Sequence, residues 1–326
     1  MESTTHTMLA ITWFGLLGLM LAFYVVTDGF DLGVGILSLL RRNREDHDVM
    51  VKTISHVWDA NETWLVVLGG ALFGAFPAAY ALLLQNLYVP VMALIAGLIM
   101  RGAAIEFRHS VEHGRLWDTV FGIGSLVAAA SQGIVLGKIL TGLLPGGLSG
   151  LFVTVSAGGV VAGYSLLGAT YLMKKTVDSI ERWARRIALI CALLTVAAAL
   201  LMTAATWFFS GIGHIRWTQP GVFHLLIALG FAAALCFAYL VVSLNSGNTS
   251  GPFRASVALF LFSFAGLVIS LFPDFIPGKL GIVDAASDSP TLIFMLVGIG
   301  LIFPVMIGYN LFQYFIFRGK VTRRPH

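Results

Sequence analysis

Three short stretches of the chain set carboxylates beside long apolar runs, at spacings that let them act together. In Thr27-Asp28-Gly29-Phe30-Asp31-Leu32-Gly33 the acids are three apart, on one helical face, and Gly29 and Gly33 leave that face narrow enough for a neighbouring helix to cover it. Trp58-Asp59-Ala60-Asn61-Glu62-Thr63-Trp64 repeats the spacing with Asp59 and Glu62 and adds Asn61 and two indole N–H groups as donors to them. In Arg101-Gly102-Ala103-Ala104-Ile105-Glu106-Phe107-Arg108, Arg101 is placed to neutralise an acid of either earlier stretch, and Glu106 to pair with Arg101, Arg108 or both. A carboxylate near the centre of a bilayer costs about 2.5–3.5 kcal/mol, so such acids need a partner, a wet cavity or a proton. Carboxylates graded from an aqueous rim towards the interior suit proton delivery through lipid, because each holds a proton briefly and keeps the path hydrated. The same residues also read structurally, as a solvated salt-bridge cluster, with Asp59 favoured by the first-turn N–H groups of a helix and Trp58 and Trp64 in an interfacial aromatic belt.

The elements that hold these stretches follow from composition. The 326 residues are 58% hydrophobic and only 11% charged, with a mean hydropathy of +0.89, whereas soluble domains carry about 25% charge. Too little polar surface is available to cover such a chain in water, so its solvent is largely lipid. A disordered chain, a disulfide scaffold and a cytosolic enzyme are excluded. Cys191 and Cys236 both sit in apolar runs and read as small buried hydrophobes. A spanning helix needs roughly 20 apolar residues, and nine segments qualify: 9–37, 57–76, 78–100, 117–140, 150–173, 187–209, 221–243, 255–273 and 291–317. Pro77 marks a tight reversal between the second and third.

Seventeen of the 20 basic residues fall on one side of this arrangement, and only Lys138, Arg216 and Lys279 on the other. The excess of Lys and Arg on cytoplasmic loops then sets the N-terminus outside and the C-terminus in the cytoplasm, which requires an odd number of spans. All three acidic stretches fall at the cytoplasmic side. The net charge of +4 is explained by topology, so no nucleic-acid partner is needed. The loops leave no room for an extramembrane domain, and function must lie within the bundle. No pair of histidines sits at mid-membrane as haem ligation would require, and there is no Walker, dinucleotide or nucleophile-elbow motif and no metal-ligand cluster. This chain is not expected to carry a redox centre or catalytic residue of its own.

With those residues in hand, the chain resembles subunit II of the cytochrome bd-type quinol oxidases, including the cyanide-insensitive branch. The resemblance rests on Thr27 to Gly35 (TDGFDLGVG), Trp58 to Pro77 (WDANETWLVVLGGALFGAFP), Tyr88 to Arg108 (YVPVMALIAGLIMRGAAIEFR), Gly168 to Leu172 (GATYL), and Phe272-Pro273 followed by Ala286 to Leu292. It implies an all-α polytopic membrane protein of nine transmembrane helices, two four-helix bundles plus one additional helix, forming one integral membrane domain over 1–326. Residues 1–140 would form the first bundle with the acidic cluster, and 150–326 the second bundle and last helix. It further implies a bacterial cytoplasmic membrane complex in which subunit I carries haems b and d and oxidises quinol to reduce dioxygen to water, while subunit II binds no haem. A small single-helix accessory subunit is part of the same expectation. Carried over residue by residue, the proton route would use Asp59 and Glu106, with Asp31 nearby; Glu106 replaces an aspartate of some members. A structural quinone or lipid would contact Trp64, with Trp58 beside it. The much longer outer loops of other members are missing here.

Two other readings use the same acids. An independent proton-coupled or cation transporter would show substrate groups at the midplane and broken helices in repeated positions, whereas here the acids crowd one side. A scaffold that only shapes subunit I would tolerate their loss.

Overall fold

The computed structural model describes residues 2–108, 114–210 and 212–322; Arg323 and Arg324, two of the basic residues assigned to the cytoplasmic side, lie outside them. The chain runs as α1 (Glu2–Ser38), α2 (Arg44–Ile54), α3 (Trp58–Ala75), α4 (Pro77–Phe107), α5 (Gly114–Leu140), α6 (Gly147–Lys175), α7 (Asp178–Phe209), a π-helical turn (Ile212–Arg216), α8 (Pro220–Asn245) and α9 (Gly251–Leu271). A small hairpin of β1 (Asp274–Ile276) and β2 (Leu280–Gly281), antiparallel, then leads through α10 (Ile282–Ala285) into α11 (Ser289–Ile316).

Among the described residues, eight helices are long and apolar enough to cross a membrane: α1, α4, α5, α6, α7, α8, α9 and α11. The expected segment 57–76 is present as α3, but it does not meet that standard. It has 18 residues, and Asp59, Asn61, Glu62 and Thr63 crowd its first turns, lowering its hydropathy. Several helices overrun the apolar windows read from sequence. The α7 helix starts at Asp178, nine residues before its apolar run, because Asp178 and Glu181 in the first turn suit a helix N-terminus. The short helix α2 lies in what reads as a polar loop; Asn43 caps it by accepting from the Glu45 amide at 3.1 Å.

The reversal at Pro77 is as expected. Phe76 leaves helical geometry (φ −138°, ψ 64°), and Pro77 opens α4, where its missing N–H costs nothing. The free carbonyls at the end of α3 are capped from a distant loop: the Ser287 amide donates to Ala75 O at 2.8 Å and its hydroxyl to Gly74 O at 2.7 Å. Within α4, Leu87 departs from helical φ/ψ three residues before Pro90, whose ring cannot continue the ladder, and the helix bends there.

Helix α1 is the axle of the fold, in contact with α3, α5, α6, α9 and α11. Its seam with α6 is close enough to exclude any side chain. A Cβ on Gly33 would lie 1.8 Å from the Tyr164 carbonyl oxygen, and one on Gly29 would lie 2.9 Å from the Tyr164 ring. Side chains on the outer helices face the other way: Leu193, Leu194, Leu200 and Leu201 of α7, Phe231 and Leu235 of α8, and Phe294, Val297 and Leu301 of α11 are exposed, as a lipid-immersed surface requires. Gly33→Ala should therefore destabilise the detergent-purified protein by about 1–3 kcal/mol, through overpacking against backbone that cannot yield. The measurement is the thermal melting midpoint, and the control is Gly15→Ala, which meets nothing within 4 Å and should leave the midpoint unchanged.

Candidate functional site

Where α1, α3 and α4 converge, three acids and one guanidinium come together inside apolar surroundings. Arg101 of α4 is fully buried. Its Nη1 donates to Asp28 Oδ1 of α1, and its Nη2 donates to Glu62 Oε2 of α3 at 2.6 Å. One turn along α1, Asp31 Oδ2 accepts from Asn61 Nδ2 at 2.7 Å; the same amide group reaches Thr27 O at 3.3 Å. Asn61 Oδ1 in turn accepts from the Tyr314 hydroxyl of α11 at 2.6 Å. Asp28, Asp31 and Asn61 are all fully buried, while the Glu62 side chain keeps 25% of its surface exposed.

Local sequence explains why these groups meet. Asp28 and Asp31 share a face of α1 through their three-residue spacing, and Gly29 and Gly33 turn the adjoining stripe towards α6. Asn61 and Glu62 are consecutive, so they diverge around α3: Asn61 points to Asp31 and Glu62 to Arg101. The Trp58 indole rests on Gly102, where a Cβ would be 3.2 Å from the ring, and its centroid is 5.9 Å from the Arg101 guanidinium carbon.

One guanidinium cannot balance three carboxylates in a closed interior, so the cluster holds more acid than it has fixed countercharge. Its hydrogen bonding is also incomplete. Asp28 Oδ2, Asp31 Oδ1 and Arg101 Nε are buried without a partner among the described residues, which is where ordered water or exchangeable protons belong. Outside the cluster, a cleft of about 360 Å³ between α3 and α4 is lined by Trp58, Asp59, Glu62, Thr63 and Gly102 among others. Asp59 is exposed at this cleft and Glu62 forms its inner wall, so the two acids join the surface to the buried cluster.

The structure separates residues that sequence spacing groups together. Asp59 and Glu62 share a helical face, yet only Glu62 reaches Arg101. Asn61 donates to Asp31 rather than to Asp59 or Glu62. Glu106 is exposed, and it pairs with neither expected arginine: Arg101 is engaged by Asp28 and Glu62, and Arg108 Nη2 by Asp48 at 2.9 Å and Asp118 at 2.6 Å. The reason is direction. Arg108 ends α4 and faces α2 and α5, whose acids are closer than a neighbour on its own helix. Trp64 is sealed in the core, stacked on Phe23 with centroids 4.6 Å apart and edge-on to Phe303, which leaves it no surface for a quinone or lipid. Its indole N–H donates to no described acid. Tyr314 carried no sequence signal: a lone tyrosine late in an apolar helix looks like packing until α11 is laid against α1 and α3.

Against known proteins, the family model for cytochrome bd terminal oxidase subunit II matches residues 9–317. Cytochrome bd ubiquinol oxidase subunit 2 of Bacillus subtilis (strain 168) is 26% identical over 334 residues, covering 96% of this chain and 96% of its own length. Cytochrome bd-I ubiquinol oxidase subunit 2 of Escherichia coli (strain K12) is 33% identical over 226 residues, 64% of this chain and 59% of that protein. The solved bd oxidase from Geobacillus thermodenitrificans includes a chain with the same fold, at a TM-score of 0.73 and 22% identity over 95% of this chain and 99% of that one. A family match running through all three acidic stretches and nearly the whole length leaves one assignment: the chain belongs to the cytochrome bd terminal oxidase subunit II family.

Proposed function

We propose that this chain is the haem-free subunit II of a bd-type quinol oxidase, packed against a haem-bearing subunit I and passing it protons drawn from the cytoplasm. The observation that carries this reading is the buried cluster of Asp28, Asp31, Glu62 and Arg101, under-supplied with positive charge and joined to the surface by the cleft at Asp59. The partner's haems supply electron transfer and oxygen reduction. This chain's task is to bring a proton across apolar territory.

Asp59 takes up a proton at the rim. Glu62, still partly exposed, receives it and hands it towards Asp28 and Asp31, where burial excludes bulk water. Arg101 keeps the acids from repelling one another apart and fixes their spacing, and Asn61 and Tyr314 orient Asp31. Glu106 adds a second rim acid at the end of α4. Trp58, half-exposed at the cleft, is the aromatic side chain left to contact a structural quinone or lipid tail.

The topology that serves this role counts α3 as the ninth span, its polar start forming a wet inner mouth. Eighteen residues rise only about 27 Å, so α3 needs that mouth to be hydrated. The excess of Lys and Arg on the same side favours an external N-terminus and a cytoplasmic C-terminus in the bacterial inner membrane. Helices α1, α3, α4 and α5 contact one another in a ring, as do α6 to α9, with α11 laid on α1 and α3; this supports two four-helix bundles plus one helix, divided between 1–140 and 150–326. An independent transporter is disfavoured because the acids gather at one end of the bundle instead of its centre. The family expectation of a small single-helix accessory subunit is retained.

Asp59→Asn and Glu106→Gln in the assembled oxidase should each lower quinol-driven oxygen consumption tenfold or more, over ~1.4 kcal/mol of barrier, with haem content retained. Turnover within about twofold of wild type would favour the scaffold role. Arg101→Ala removes the only guanidinium facing Asp28 and Glu62 among the described residues. It should cost about 3–5 kcal/mol and reduce the yield of assembled complex, because it leaves buried acids unpaired. Adding Asp28→Asn to Arg101→Ala should restore part of that yield.

A further inference from the structure

Helix α11 is held to the rest of the fold by few contacts. Among its described residues only Leu292 and Asn310 are buried, so packing alone fixes neither its rotation nor its height against α1 and α3. Its outer end is tied by the Trp13 indole, which donates to Leu292 O at 3.0 Å. Its inner end is tied to α6: the Lys175 ammonium donates to Phe317 O, the carbonyl that closes α11, and Lys175 O accepts from the Val321 amide at 2.7 Å. Residues 317–321 thus fold back around the end of α6, and the Phe317 ring stacks on His56, just ahead of α3, with centroids 4.4 Å apart.

Lys175 is almost fully buried and has no carboxylate partner among the described residues. A buried ammonium without an acid is costly. Two weaker sources of negative potential stabilise it: the carbonyl end of α11, which has no basic residue in its own last turn, and the face of Tyr171, whose centroid lies 5.8 Å from Nζ. Both lead to the acid cluster. Tyr171 stacks on Phe30, which sits between Asp28 and Asp31 in sequence, with centroids 4.1 Å apart, and Phe30 meets the Tyr314 ring at 6.3 Å. Phe317 lies one turn beyond Tyr314, whose hydroxyl donates to Asn61 Oδ1 at 2.6 Å, and Asn61 Nδ2 donates to Asp31 Oδ2 at 2.7 Å. With its oxygen taken by the hydroxyl, the Asn61 amide presents its N–H₂ to Asp31.

We propose that Lys175 is a positioning residue for proton delivery: by capping the inner end of α11 it holds Tyr314 at the height where its hydroxyl sets the Asn61 amide, and Asn61 in turn holds Asp31. Every step from Lys175 to Asp31 is a hydrogen bond or a single helical turn. Hydrogen bonds weaken steeply with misalignment, and α11 has little other packing, so releasing its inner end moves Tyr314 off Asn61. The Asn61 oxygen is then left unpaired and the amide is free to turn over, which takes the donor away from Asp31. Arg101 does not replace that donor, because Asp28 and Glu62 engage it.

The inference rests on the proton-delivery reading above, and the test separates the two. Lys175→Met, Lys175→Arg, Tyr314→Phe and Asp31→Asn are made in the whole oxidase, together with the Lys175→Met, Tyr314→Phe double variant, and oxygen consumption per haem is measured against quinol concentration. Lys175→Met and Tyr314→Phe should each lower kcat threefold or more, with haem content and the KM for quinol unchanged, and the double variant should be no slower than Tyr314→Phe alone. Lys175→Arg, which keeps a cationic donor, should recover most of the loss. A loss below threefold in Lys175→Met, losses that multiply in the double variant, or a Lys175→Arg no better than Lys175→Met overturns the inference. If Asp31→Asn loses tenfold while Lys175→Met loses less than threefold, only the positioning role falls; if Asp31→Asn itself loses less than threefold, proton delivery through Asp31 falls and takes this inference with it. Should Lys175→Met fail to assemble, Val321→Pro, which removes only the amide hydrogen bonded to Lys175 O, decides by the same threefold criterion.

Discussion

A guanidinium with no exposed surface, held between carboxylates of two other helices, is the interaction on which the rest of the molecule depends. An isolated charge of this kind in lipid is not tolerated, and a single carboxylate would simply cancel it. Arg101 instead meets Asp28 and Glu62, with Asp31 one turn away, so the buried group as a whole carries an excess of acid. Protons are the cheapest way to neutralise that excess in an apolar interior. On the proposed reading, such a site, reached from the surface through Asp59 and Glu62, loads and unloads those protons.

The fold is arranged so that this junction is possible. Helix α1 touches helices of both halves, and its glycines permit backbone contact with α6 on one side while Asp28 and Asp31 face α3 and α4 on the other. The tight turn at Phe76-Pro77 returns the chain so that α3 and α4 are antiparallel neighbours, bringing Glu62 and Arg101 to the same depth. Ser287, from the loop before α11, caps α3, and Trp13 Nε1 donates to Leu292 O at 3.0 Å, so the last helix is tied to α1 and α3 and brings Tyr314 to Asn61. Binding the first and last helices in this way makes the cluster a product of the whole chain.

Much of this was legible from residues alone. Acids three apart, set beside glycines and followed by an arginine 39 residues after Glu62, point to a shared site because each group is costly in lipid on its own. The positions at the rim were less legible. Glu106 and Arg108 are two apart in sequence, but a helix turns such residues away from each other, and Arg108 finds its acids on α2 and α5. Asp48, in what reads as a polar loop, and Asp118, at the start of the expected span 117–140, show no relation to Arg108 in sequence and meet it only once α2 and α5 pack against the end of α4. Trp64 reads as an interfacial belt residue because it follows a polar turn, whereas packing against Phe23 and Phe303 seals it inside. Tyr24 of α1, Gln132 of α5 and Tyr164 of α6 carry no pattern in one dimension, since the hydrogen bonds that join them exist only once the helices cross.

The central claim is that Glu62 changes protonation as the oxidase works. Infrared difference spectroscopy of the assembled complex during oxygen reduction, in wild type and Glu62→Gln, measures this directly. A carboxylic-acid carbonyl band that appears and decays with turnover in wild type and is missing in Glu62→Gln is the predicted result. The same band in both proteins, or none in wild type, would contradict it.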